Sequence, residues 1–147
     1  MHKGLLIYDR RLKHFHAILG VILFAFQLYC DFSGYSDIVI GTAKILGIEL
    51  TENFRSPLFA NSIQNFWNSW HISLSTWLRD YVFFALRRNL LKQKKMPGWL
   101  IQSIPPMITM LISGIWHGAN WTFVLWGGLH GLYLIVETTF KPTVYLS

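Results

Sequence analysis

Cysteine is nearly absent: Cys30 stands alone among 147 residues, so no intrachain disulfide can form and the redox compartment stays open. Acidic residues are scarce as well, seven against thirteen Lys and Arg, and charged residues of all kinds make up 14%. That is too few for an ordinary soluble domain, which carries about a quarter. Familiar catalytic signatures are missing. There is no glycine-rich phosphate loop, no His-Glu-x-x-His zinc helix and no Gly-x-Ser-x-Gly nucleophile elbow. No repeat, low-complexity tract or linker divides the chain, so residues 1–147 read as one membrane domain.

Apolar and aromatic mass is what the chain has in quantity. Hydrophobic residues fill 52% of positions, and seven Trp, six Tyr and eleven Phe exceed what a small soluble core needs. Aromatic belts at a bilayer interface would use them. The net charge of +6 does not point to nucleic acid, because the basic residues fall in short clusters between apolar runs, as in loops facing anionic lipid. Residues 1–13 are basic and precede a long apolar run without a small-residue cleavage site, so the run reads as an uncleaved span and not a signal peptide.

Four apolar segments follow, at residues 14–30, 35–50, 99–116 and 120–136. The expected fold is therefore all-α: a polytopic helical membrane protein with about four hydrophobic helices plus interfacial or re-entrant ones. Lys3, Arg10, Arg11 and Lys13 precede the first segment, and Arg87, Arg88, Lys92, Lys94 and Lys95 precede the third. Both clusters, and both termini, are expected on the cytoplasmic side, with a turn at Asp31 to Gly34 near the opposite face. Residues 51–86 then begin and end on one side, and their mixture of tryptophans with Asn, Gln and Arg suits interfacial helices. Pro105-Pro106 should kink the third segment.

Histidines carry the chemistry. His117 lies in residues 107–126, a stretch without formal charge, where an ionisable ring is costly unless it faces protein or a water-filled cavity. The alternative for it is a neutral ring hydrogen-bonded between packed helices. His71 sits among aromatic and hydroxyl side chains, and by spacing alone it is part of an amphipathic anchor. His2, His14 and His16 lie at or before the first interface. His130 accompanies Gly127, Gly128 and Gly131, where close helix packing is the expected role. With no carboxylate or thiolate ligands beside His71 and His117, no metal site is expected, and three roles stay open: general base, haem ligand or structural hydrogen bonder.

Four sequence words taken together resemble the membrane-bound O-acyltransferase (MBOAT) family. They are Asp31-Phe32-Ser33-Gly34-Tyr35-Ser36-Asp37, Glu52-Asn53-Phe54-Arg55-Ser56-Pro57, Phe66-Trp67 with Trp70 to Tyr81, and Gly114-Ile115-Trp116-His117-Gly118-Ala119. The resemblance is strongest over residues 24–131 and is closest to bacterial members of the alginate O-acetylating kind. It implies that His117 matches the family's catalytic histidine and His71 its second functional histidine. The implied activity is transfer of an acyl group from a thioester donor, acetyl-CoA or an acyl carrier protein, to hydroxyls of a cell-surface polysaccharide at the bacterial inner membrane. No cofactor is implied. A neutral imidazole suits the step, since it can take the hydroxyl proton during attack on the thioester. Trp116, Asn120 and Ser113 are the candidates to orient the ring or donate to the developing oxyanion.

The chain departs from relatives of that kind at Ser69, where they often carry a basic residue, and after Arg79-Asp80-Tyr81, where Val82-Phe83-Phe84 replaces a Pro-Leu-Gly-Gly segment. D-alanyl transfer to teichoic acid is thus the alternative reaction. Family enzymes have many more spans, so the sequence is expected to be a fragment or a shortened product, completed by missing spans and by membrane lipid. A soluble or periplasmic acyltransferase partner is a further expectation. Readings from other classes are a bis-histidine haem-binding subunit, a helical channel subunit and a non-catalytic scaffold.

Overall fold

A computed structural model describes residues 2–93 and 95–140, with side chains from Leu12 onward. Lys94, the side chains of Lys3, Arg10 and Arg11, and residues 141–147 lie outside the described part, so the topological reading of those basic residues and of the C-terminus is not tested. The described residues are almost wholly helical. They form two compact units, one ending at Glu52 and one beginning at Asn53.

The first unit is built on one helix, α1 (His2–Ile45). Residues 14–30 and 35–50 were expected as separate segments around a turn at Asp31 to Gly34. They run into a single helix instead. Gly34 is helical in φ, and an isolated glycine costs a helix only about 1 kcal/mol, too little to end it without proline nearby. The real stop is Gly47, whose φ of 75° a side chain would resist. Its N–H donates to the Lys44 carbonyl (3.1 Å) and the Ile48 N–H to that of Ala43 (2.9 Å), which closes the last turn in a Schellman arrangement. The apolar part, Leu12–Ile45, spans 34 residues, about 51 Å of helix against an apolar bilayer core of about 30 Å.

The second unit contains α2 (Ile63–Ser69), α3 (Ile72–Trp77), a π-helical turn (Leu78–Phe83), α4 (Phe84–Leu91), α5 (Gly98–His117) and α6 (Trp121–Phe140), with a single 3-10 turn at Pro57–Phe59. Helices α5 and α6 are each long and apolar enough to cross a membrane, which with α1 gives three such helices among the described residues. Pro105 and Pro106 do not end α5. Both are buried, and the Pro105 carbonyl accepts from the Thr109 hydroxyl at 2.7 Å.

The packing of α5 on α6 depends on glycine. A Cβ on Gly114 would strike the Phe123 carbonyl oxygen, and one on Gly127 would strike that of Met110. At Gly131 the collision would be with the Met107 sulfur, 2.9 Å away. Close backbone approach of this kind is how apolar helices associate in lipid, where burial against solvent offers no gain. Elsewhere in the unit Phe54, Leu78, Phe83, Met110 and Leu134 form a small core around buried Thr109 and Ser113. Large apolar residues such as Leu125, Leu129 and Leu132 remain exposed, as expected of a lipid-facing surface.

Gly127→Ala should lower stability by about 1–3 kcal/mol, the usual range for overpacking. Gly128→Ala is the control, since the nearest atom to its new Cβ is Leu111 Cδ2 at 3.9 Å. Thermal unfolding in detergent micelles should separate the two, and equal melting would argue against the close contact.

Candidate functional site

His117 is the last residue of α5, and the chain leaves it through Gly118 at φ 155°, a conformation for glycine alone. A Cβ at Gly118 would also meet the Phe123 ring at 3.0 Å. This sharp exit folds the start of α6 back over the histidine. Phe123 stacks on the imidazole at 6.0 Å, and Trp126 and Trp116 meet it edge-on, each at 5.1 Å between ring centroids. Three aromatic rings thus fix the imidazole in space.

His71 comes from the corner between α2 and α3, which is locked from outside. Phe54 pairs with Trp70 in an antiparallel bridge, and the Arg55 N–H donates to the Ser69 carbonyl at 3.0 Å. Asn53 holds the first turn of α3 twice, its main-chain carbonyl accepting from Ile72 N–H (2.9 Å) and its side-chain oxygen from Ser73 N–H (3.1 Å). His71 itself is in the left-handed region, φ 44° and ψ 58°, which non-glycine residues occupy at a cost and mostly at special positions. Its Nδ1 accepts from Leu74 N–H at 3.4 Å, so the ring caps α3.

The two histidines are brought together by Trp116. Its indole lies 6.1 Å from the His71 ring and 5.1 Å from that of His117. Burial pushes the His71 pKa below the ordinary imidazole value of 6.5, its own main-chain carbonyl pulls the other way, and the nearness of His117 adds to the lowering.

The same unit holds a cavity of about 290 Å³, near the lower limit for a small-molecule pocket, whose lining includes neither His71 nor His117 but does include neighbours of both. Ile72 and Ser113 line it, the first following His71 and the second standing one turn before His117. Arg55, Gln64, Asn68 and Arg79 supply its polar wall. Sequence reasoning missed these four as site residues, although Arg55 and Arg79 lie inside the quoted words. The π-helical turn aims Arg79, Leu78 and Phe83 at the cavity, and such turns recur at functional sites.

The other expected residues have distinct fates. Ser113 is buried against the cavity, whereas the Asn120 side-chain oxygen is engaged at the start of α6 with Thr122 N–H (3.1 Å) and hydroxyl (3.0 Å). His130 packs among Trp67, Trp126 and Tyr133, at 5.2, 4.6 and 6.1 Å. Among the described residues neither its buried Nδ1 nor the buried Trp67 indole nitrogen has a hydrogen-bond partner. Glu137 reaches from α6 to accept from Gln64 N–H at 2.9 Å, tying down the start of α2. No group of three or more His, Cys, Asp or Glu that could hold a metal ion occurs among the described residues.

The sequence profile of the membrane-bound O-acyltransferase family matches residues 9–147. This chain belongs to that family. It is 47% identical over 126 residues to the probable alginate O-acetylase AlgI of Azotobacter vinelandii, covering 85% of this chain and 24% of that protein. The peptidoglycan O-acetyltransferase of Helicobacter pylori is 42% identical over 130 residues, 88% of this chain and 24% of the relative. The teichoic acid D-alanyltransferase of Streptococcus thermophilus is 36% identical over 121 residues, 81% of this chain and 29% of the relative. The MBOAT chain in hand thus spans about a quarter of the length of these relatives.

His71 supplies a test of its cap. An imidazole whose folded pKa is depressed contributes stability that is complete above 6.5 and is lost as the pH falls from there through the folded value. Acidification from neutral to about pH 5 should therefore lower the melting temperature more in the wild type than in His71→Asn, which caps without titrating. An equal drop in both would show that this ring is not the one being protonated.

Proposed function

We propose that this chain carries the acyl-transfer site of a membrane-bound O-acyltransferase, moving an acyl group, most simply acetyl, from a thioester donor to hydroxyls of a cell-surface polysaccharide. The observation that carries the reading is the pair His71 and His117, both in ring contact with Trp116, in a chain of this family. His117 takes the hydroxyl proton as the oxygen attacks the thioester carbonyl, and the aromatic rings around it hold the imidazole in place. Acetyl-CoA or an acyl carrier protein fits as donor, and no bound cofactor enters the chemistry. Residues 1–147 act as one part of a larger catalytic region. Further spans complete the site in a bacterial inner membrane, where a soluble or periplasmic acyltransferase can act as partner.

Acetyl is preferred to D-alanyl because the acetyl-transferring relatives are the more similar, at 47% and 42% identity against 36%. Membranes in which this chain is completed by the further spans should transfer label from an acyl thioester to a polysaccharide hydroxyl. His117→Ala should lower that rate by at least about a hundredfold, while insertion and abundance stay near wild type. Full transfer by a well-inserted His117→Ala protein would remove His117 as the base. Transfer of D-alanine but not acetate would reassign the acyl group.

A further inference from the structure

We infer that His71 is a hydrogen-bond donor of fixed tautomer, presenting Nε2–H to the thioester carbonyl oxygen, and is not a second base. The inference rests on the acyl-transfer reading above and assigns this ring its part in it.

The first turn of α3 points to the assignment, against the pull of the ring's own main-chain carbonyl toward the protonated form. A helix begins with main-chain N–H groups that have no partner within it, and at this start those of Ile72, Ser73 and Leu74 are held from outside the helix. Asn53 accepts from Ile72 N–H and Ser73 N–H, at 2.9 and 3.1 Å. The third, Leu74 N–H, points at His71 Nδ1, 3.4 Å away, and the Ser73 hydroxyl lies 3.5 Å from the same nitrogen. A main-chain N–H can only donate, so Nδ1 must offer its lone pair, and a neutral imidazole then carries its proton on Nε2. Acting as a base would require the lone pair on Nε2 and the proton on Nδ1, facing Leu74 N–H donor to donor. Imidazolium formation would break the cap in the same way.

The choice of residue agrees with this division. Asparagine, serine or aspartate caps a helix better than histidine, and asparagine also tolerates a left-handed backbone. Histidine adds a second nitrogen across the ring from the cap, on an imidazole that Trp116 and His117 approach from α5. In the reaction the hydroxyl oxygen bonds to the thioester carbon and its proton passes to His117. The carbonyl oxygen becomes an oxyanion held by Nε2–H of His71. On collapse the C–S bond breaks, the ester forms, and His117 returns the proton to the departing sulfur. His71 keeps its proton throughout.

Two substitutions separate the halves of the ring. Asparagine places an acceptor near Nδ1, and glutamine places an amide N–H near Nε2. For His71→Asn the cap survives and the donor is lost; for His71→Gln the reverse holds. Melting temperature should therefore rank His71→Asn above His71→Gln. The transfer rate should rank the other way, His71→Gln within about tenfold of wild type and His71→Asn lower by about a hundredfold, the scale of one lost oxyanion donor. Equal loss in both variants, or activity that follows stability, would overturn the donor role. A readout free of activity is nitrogen NMR of the 147-residue chain with ring-labelled histidine in micelles, His71 being assigned by its absence in His71→Gln. An Nε2–H tautomer at neutral pH is expected, and an Nδ1–H tautomer or an imidazolium would refute it. A wild-type protein completed by the further spans and still without any transfer would sink the acyl-transfer reading and the catalytic role with it, while the tautomer would still be read directly.

Discussion

Three glycines on the α5–α6 contact leave no space for a side chain, and the position of every functional group follows from that constraint. Because the backbones approach so closely at Gly114 and Gly127, α6 must begin directly over the end of α5. Gly118 permits the reversal, and Phe123 and Trp126 are thereby carried onto His117. Anything that spread the two helices would loosen the aromatic box before it touched the histidine itself. The small core of the unit then sets the π-helical turn against α5, and the His71 ring comes to rest against Trp116.

Much of this was legible in the residues. Helical class and two later apolar helices with a break at His117-Gly118-Ala119 follow from hydropathy, glycine placement and aromatic content. The break at Asp31 to Gly34 was read wrongly because a glycine and polar neighbours look alike in a turn and in a long helix. Only the stop at Gly47, where main-chain hydrogen bonds close the helix, distinguishes them. The Glu137 to Gln64 bond was not legible at all, since it joins residues 73 apart in sequence through a main-chain N–H. The left-handed backbone of His71 escaped for a related reason: it depends on Asn53 and Phe54 binding the corner from another segment.

The chemistry asked of the two histidines differs because their surroundings differ. His117 makes aromatic contacts that restrain its ring, and no hydrogen bond among the described residues commits either nitrogen, which suits a group that must gain and lose a proton. His71 is committed through one nitrogen to the main chain. A transfer site gains from that asymmetry, because a donor that keeps its proton during the reaction keeps the polarity of the site constant through it.

The π-helical turn at Leu78–Phe83 has a consequence of its own. Residues five apart on an α-helix point to well-separated sides, yet Leu78 and Phe83 are both buried and both line the cavity. The widened turn absorbs one residue and so acts as a spacer in the reading of the helix. Everything after it, α4 and the basic stretch with Arg87 and Arg88, is rotated relative to α3 by the angle of that one residue. The cavity wall and the charged segment beyond it are therefore set by a count of residues as much as by their identities.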